Sequence, residues 1–584
     1  MFSINYQKRK NKEVLETLEN KYGLFLSKSQ NYIPIYTRFF TLNETNYLNV
    51  NFNHTWYLTD IKEKITDNVY LYESSIKNIN NMEEKNKTPV FFKLAPLLDP
   101  FKYLTGKYDI NDPTLFNLPS FNSTIQNVNP KILDVNNSSY VDGFFVFLTS
   151  VLKNLYYFIH GIDYYGSFLS IKNNYKLDVT DEIDCLSDSA FFNKHHNILF
   201  NIDNFDYLLD QPVTKKKSIN IDYSISLKSN LSIKSINEEL FENIFEKSHL
   251  DLEDVKMTTL ELCDITNSYL ITETDKTATL KSNSTFSSRS SHTSTTDSKN
   301  DTSEVNSDYD DEKSISEHDT DNNSSNISEE AIEVTINTFP VQVICMEQIE
   351  NTFDNYILNN TLSQEEWFAY FMQIIMILIT YQKTFSLTHN DLHSNNVMYN
   401  KTNIKYLYYC YNKKYYKVPT FGKIFKIIDF GRAIYKFNNK LFCSDSFNNN
   451  GDASTQYNTE PYFNDNKPRL EPNFSFDLSR LACSIFDYVI DDISEIKDLT
   501  KCTPIVKLIV EWCLDDKGIN MLYKNNGSER YPDFKLYKMI ARCAHNQTPQ
   551  AQLERKEFSS FGINNKKISK NDFIFNIDTL PIMI

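Results

Sequence analysis

The sequence predicts an α+β fold interrupted by a long, polar, disordered insertion, and three observations carry that expectation. Short apolar runs of strand length stand at 89–94 and 341–349. A longer run, 366–384, is apolar nearly all round, as a buried helix is. Residues 272–326 are rich in Ser, Thr, Asn and Asp with almost no large apolar side chains, so they cannot bury enough surface to offset chain entropy.

Taken in order, residues 1–53 form an N-terminal extension in which only a helix near 13–21 is readable. The strand 89–94 is apolar around a single embedded charge, Lys93. The apolar run 140–155 reads as a helix with Asp142 near its start, where a carboxylate also suits the helix dipole. An insertion follows over 205–337, of which 272–326 is the disordered part. From 297 to 333 thirteen acidic residues stand against two lysines, a net of −11 that leaves −5 of the chain's −16 for the rest. That segment is read as a solvated linker or, more sharply, as a phosphorylated regulatory segment whose serines sit among acids.

Beyond it, 341–349 is a strand. The run 366–384 contains Gln373, Thr380, Gln382 and Lys383, which leave too short an apolar stretch for a membrane crossing of ~20 residues. Two polar runs come next: His389-Asn390-Asp391-Leu392-His393-Ser394-Asn395-Asn396-Val397, and Asp429-Phe430-Gly431 after the apolar strand 423–428. A further helix opens near Asp477, and 551–584 is assigned to a C-terminal tail. The elements spread over most of the 584 residues, which favours one interrupted domain, 54–550, over several.

The two polar runs, in this order and behind an apolar helix, resemble the catalytic loop and metal-binding loop of the protein kinase family. Several stretches, among them 92–100, 160–172, 419–435, 456–481 and 531–540, are worded most like serine/threonine kinases of large nucleocytoplasmic DNA viruses. The resemblance implies a two-lobed protein-kinase-like fold with the acidic insertion between N-lobe strands, and a viral protein that binds ATP with Mg2+. It implies that Asp391 accepts the substrate hydroxyl proton, that Asn396 and Asp429 hold magnesium, and that Lys93 grips the nucleotide phosphates. Asp142 is then the acid that orients Lys93. Met346 walls the adenine pocket, and backbone groups of Glu347 and Ile349 bond adenine, although 341–349 also reads as a plain core strand. Asp477 would brace the catalytic loop from below.

The chain departs from the family pattern in three places. No glycine lies between Gly23 and Gly106, and the glycine positions of the phosphate-covering loop fall on Lys62, Lys64 and Asp67 if Val69 is the valine that follows it. Asn390 replaces an arginine that usually meets activation-loop phosphate. His393 stands where such kinases place a lysine that neutralises the moving phosphoryl group, and an imidazole is charged only part of the time near neutral pH. A pseudokinase acting as a binding scaffold and a small-molecule kinase of aminoglycoside or choline kinase type are therefore retained beside the expected protein substrate, which the length of 429–471 favours as a peptide platform.

No basic run suggests nucleic acid. The nine cysteines contain no Cys-x-x-Cys pair and the first residues are charged and polar, so a reducing compartment is expected, the host-cell cytoplasm or a virion.

Overall fold

A seven-stranded antiparallel sheet organises the first half of the computed structural model, which describes residues 2–202 and 332–584 apart from 10, 21, 22, 67–69, 82, 84 and 181. Its strands are β1 (Leu26–Gln30), β2 (Trp56–Lys64), β3 (Leu71–Asn78), β4 (Lys85–Pro96), β5 (Tyr164–Asp178), β6 (Phe200–Ile202) and β7 (Glu333–Glu347). The spatial order is β1-β5-β7-β4-β3-β2, with β6 also paired to β7. Register places Lys93 of β4 opposite Ile344 of β7, and Phe91 opposite Met346. Strand alternation sends the fully buried Val90 and Phe92 to the face opposite Lys93.

Helix α1 (Lys12–Asn20) precedes the sheet, and α2 (Ser138–Tyr156) crosses from β4 to β5. Asn137 caps α2 by accepting the Ser139 N–H at 3.0 Å while its own amide donates to the Leu97 carbonyl, and caps of this kind stabilise a helix by about 1 kcal/mol. The back of α2 is lined by aromatic side chains from the N-terminal segment: Phe39 lies 4.9 Å from Phe144, and Phe52 lies 4.6 Å from Phe147, ring centre to ring centre. Residues 1–53 were expected to stand outside the domain. They belong to it, because β1 is an edge strand of the main sheet and these rings fill its core.

The second half is built on helices α3 (Phe353–Asn359), α4 (Gln364–Phe385), α5 (Phe476–Val489), α6 (Pro504–Trp512) and α7 (Lys535–Cys543). The expected buried helix is α4. A capping box opens it, with Glu366 N–H donating to Ser363 Oγ at 3.3 Å and Ser363 N–H to Glu366 Oε2 at 2.9 Å. Its one central amide, Gln373, is satisfied by the backbone of Phe425 and Lys423, so burying it costs little. Among the described residues no helix is long and apolar enough to cross a membrane.

Two smaller sheets flank α4. Strands β8 (Val397–Lys401) and β11 (Lys423–Ile427) pair antiparallel with Val397 opposite Ile427, which sets the residues after the first polar run beside those before the second. Strands β9 (Tyr406–Tyr411) and β10 (Lys414–Pro419) form a hairpin, to which β14 (Gly562–Ile563) and β15 (Ile574–Asn576) add. Residues 551–584 are thus part of the fold and not a tail, since their strands complete this sheet. Within 429–471 the chain makes a second hairpin, β12 (Ile434–Phe437) with β13 (Lys440–Cys443).

The mixed α+β class expected from the sequence is what the structure has. The insertion boundary at 337 moves, because 333–337 lie within β7, where Ile336 pairs with Phe200 and with Tyr175. The segment 272–326, Asp67 and Val69 lie outside the described residues.

Candidate active site

Lys93 Nζ sits between two carboxylates contributed by separate elements, 2.7 Å from Asp142 Oδ2 on α2 and 3.0 Å from Asp429 Oδ1 after β11. Asp142 is buried while the Asp429 side chain is 48 % exposed. Burial raises the pKa of Asp142 above its ordinary value against the pull of Lys93, whereas at Asp429 the same ammonium, with His389 and the Gly431 N–H, outweighs burial and holds the carboxyl well below it. Burial opposes the charge on Lys93, but the two carboxylates together raise its pKa. The other Asp142 oxygen accepts the Phe430 N–H at 2.8 Å, so one buried acid ties the strand lysine to the loop holding Asp429.

Asp429 has φ +63°, the left-handed region that non-glycine residues rarely occupy. Such backbone persists where its surroundings hold it. Here Phe430 is fully buried against Phe145, 4.4 Å between ring centres, and Ile428 donates its N–H to the Asn396 carbonyl at 3.0 Å.

The run 389–396 is held from three sides. Asp477 at the start of α5 accepts the N–H groups of His389 and Asn390, both at 2.9 Å. His389 Nε2 lies 2.9 Å from the Ile428 carbonyl and its Nδ1 accepts the Asp391 N–H at 3.3 Å, which assigns the proton to Nε2. Asn396 Nδ2 donates to the Asp391 carbonyl at 2.9 Å, which leaves Oδ1 as the amide's acceptor. The Asn390 side chain, in place of the expected arginine, donates to the Arg432 carbonyl and accepts from Tyr457.

Two side chains meet the Asp391 carboxylate among the described residues. Tyr537 on α7 donates to Oδ1 at 2.7 Å, and Arg432 Nη1 lies 3.6 Å from Oδ2. Burial opposes ionisation, but the guanidinium groups of Arg432 and Arg480, with the Tyr537 hydrogen bond, outweigh it and keep the carboxyl below its ordinary value. Arg432 also pairs with Asp452 at 2.5 Å. Arg432 adjoins the Asp-Phe-Gly motif and could have been singled out from the sequence. Tyr537, 146 residues beyond Asp391, lies in the stretch 531–540 that resembles the viral kinases, but nothing in that stretch singles out its phenol.

His393 differs from its expected part. Its side chain is buried, and burial lowers its pKa to about 4, so near neutral pH it is uncharged and supplies no cation to a phosphoryl group. Glu347 also differs in detail. Its N–H donates to the Asp163 carbonyl at 3.0 Å and its carboxylate reaches Lys153 at 2.5 Å and Lys426 at 2.7 Å. Its N–H is therefore already taken. Met346 is buried between Phe91 and Tyr164 of the adjacent strands, and Ile349 lies just past the end of β7, partly buried.

Among the described residues no group of three or more His, Cys, Asp or Glu forms a metal site. A magnesium ion prefers a few hard oxygens and completes its octahedron with water and phosphate. The exposed Asp429 carboxylate and Asn396 Oδ1 are donors of that kind on adjoining backbone. Two surface hollows, of about 410 and 380 Å³, lie elsewhere, lined by residues such as Lys414 and Ile563 or Lys28 and Asn117. No family model matches the chain, and no curated protein matches it.

Proposed function

We propose that this chain is a serine/threonine protein kinase that transfers the γ-phosphate of ATP to protein substrates with Mg2+. The observation that carries the reading is Lys93 Nζ within 3.0 Å of both Asp142 and Asp429, because it joins a strand, a helix and a loop at one cation suited to nucleotide phosphates. Sheet order supports it: β2-β3-β4-β7-β5 is what a kinase-like N-lobe needs to bring strand lysine, helix acid and adenine-facing strand together.

In this reading Lys93, positioned by Asp142, binds the α- and β-phosphates. Asp429 and Asn396 would hold magnesium, which when bound neutralises charge on the transferred group. Asp391, ionised and fixed by the Asp477 clamp, accepts the proton of the attacking hydroxyl. Arg432, not His393, is the cation nearest Asp391. The resemblance of several stretches to viral kinases makes the host-cell cytoplasm the proposed place of action, and antibody detection in purified particles separates that from packaging in a virion.

Labelled ATP with casein and myelin basic protein tests the proposal. Wild type should label protein and Asp391→Asn should lose at least a hundredfold, a loss corresponding to about 2.7 kcal/mol of barrier. Equal incorporation by both removes the enzyme reading. Label on a small acceptor that stays in the acid-soluble fraction points to the small-molecule alternative. The scaffold reading is favoured by the absence of glycine from 24 to 105, and it predicts a folded chain that binds partners without label transfer.

A further inference from the structure

We propose that Tyr537 is a positioning residue of the transfer reaction, fixing Oδ1 of Asp391 so that Oδ2 is the oxygen presented to the accepting hydroxyl. The inference rests on the kinase reading and deepens it, since nothing in that reading requires a phenol from α7.

A buried phenol needs a hydrogen-bond partner. The Tyr537 ring is almost fully buried, and its hydroxyl spends its proton on Asp391 Oδ1 at 2.7 Å. A donor to a carboxylate makes a strong, charge-assisted bond, and it pins one oxygen of a group that otherwise rotates about its last torsion. Oδ2 faces Arg432 Nη1 at the looser distance of 3.6 Å, and the Asp391 side chain keeps 24 % of its surface exposed. Of the two oxygens Oδ2 therefore holds the looser contact. Along the backbone the residue is already fixed by His389 and Asn396, so the carboxylate torsion is the remaining freedom.

The phenol is itself held rigidly. Phe534 stacks on the Tyr537 ring with centres 5.2 Å apart, and the Arg480 guanidinium lies 4.8 Å from the ring centre. Helix α7 is tied to the segment after the second polar run by Arg542 Nη2 donating to the Thr455 carbonyl at 2.7 Å, and to the approach of α5 by Asn473 donating to the Ala541 carbonyl. Orientation of Asp391 thereby depends on a helix far along the chain. In the step itself the substrate O–H bond breaks and its proton passes to Asp391 Oδ2. The substrate oxygen bonds to the γ-phosphorus, and the bond from that phosphorus to the bridging oxygen breaks with its electron pair leaving on ADP. A carboxylate rotated away from this line slows the step without weakening nucleotide binding.

The test compares full-length wild type, Tyr537→Phe and Phe534→Leu with ATP and dephosphorylated casein, alongside thermal unfolding. Tyr537→Phe keeps the ring and removes the donor, whereas Phe534→Leu removes the stacking neighbour and keeps the donor. The expected result is a kcat about tenfold lower for Tyr537→Phe with KM for ATP within twofold of wild type, and a smaller kcat loss for Phe534→Leu at an equal or larger drop in Tm. Three outcomes overturn the proposal: unchanged kcat in Tyr537→Phe, equal kcat losses in both variants, or a raised kcat in Tyr537→Phe, which would make the phenol a blocker occupying the acceptor's place. A wild type that labels nothing removes the kinase reading itself, and with it this inference, whereas an active wild type beside an unaffected Tyr537→Phe removes the inference alone.

Discussion

Asp477 accepts the backbone N–H of Asn390 at 2.9 Å while its second oxygen accepts that of His389 at the same distance. Burial raises the pKa of this carboxyl, and the two donors with His389 only partly counter it. Asp477→Ala leaves two buried N–H groups without an acceptor, at about 1–3 kcal/mol each. Urea unfolding should show a loss of about 3 kcal/mol, and the proposed kinase activity should fall with it because Asn390 itself sits at φ +65°. Asp477→Asn, which keeps one acceptor, should lie between the two.

Lys93→Met leaves Asp142 and Asp429 facing each other without the ammonium between them. Activity should drop by more than a hundredfold. Because Lys93 retains 23 % exposure, the stability loss should stay near 2 kcal/mol, below the range for a fully buried broken pair. The loss should shrink as the pH is lowered and Asp142, whose pKa burial already raises, takes up a proton. Denaturant curves at pH 7 and pH 5 measure it.

Glu347 holds two lysines, and one of them, Lys426, is almost completely buried. Burial lowers the pKa of Lys426, and Glu347 restrains that fall. Glu347→Gln should therefore cost about 3 kcal/mol, and the double variant Glu347→Met/Lys426→Met should recover much of it, since apolar replacement of a buried pair is often neutral. A double-mutant cycle followed by thermal unfolding decides this. KM for ATP should change little, because the carboxylate faces Lys153 and Lys426.

His160 is completely buried, with Nδ1 2.7 Å from the Phe425 carbonyl and Nε2 2.7 Å from the Tyr409 hydroxyl, and burial lowers its pKa to about 3. The folded chain thus holds it neutral between pH 6.5 and 3 while the unfolded chain protonates it. More protons on the unfolded state mean that stability rises with pH, so it is full above about 6.5 and is lost as pH falls toward 3. At pH 5 the loss from this group is about 2 kcal/mol. Tm should fall between pH 7 and pH 5, and His160→Gln should flatten that slope.

Much of the site was legible because its chemistry is local in sequence. Asp391 and Asn396 share one turn, Asp429 opens the next motif, and Lys93 is the single charge in the apolar run 89–94. Helix α4 announced itself by an apolar surface that no exposed helix could carry. What stayed unreadable depends on partners far apart. In the N-terminal segment only a helix near 13–21 is readable, and Phe39 and Phe52 find their places only when α2 is present. The neutral state of His393 follows from burial, which no spacing reveals. Strand β7 begins in residues whose composition matches the insertion, and its edge was invisible until Tyr175 and Phe200 supplied the pairing.

The rings of Phe39 and Phe52 behind α2 have a practical consequence for anyone trimming the gene. A fragment starting near residue 54 would lose the wedge behind α2, the helix that carries Asp142, along with the edge strand β1. Many switchable enzymes borrow such a wedge from another molecule and idle until it arrives. Here the wedge is covalently attached, so the helix is already engaged when the chain finishes folding, and a truncated product that proves inert would say more about the missing segment than about the chemistry.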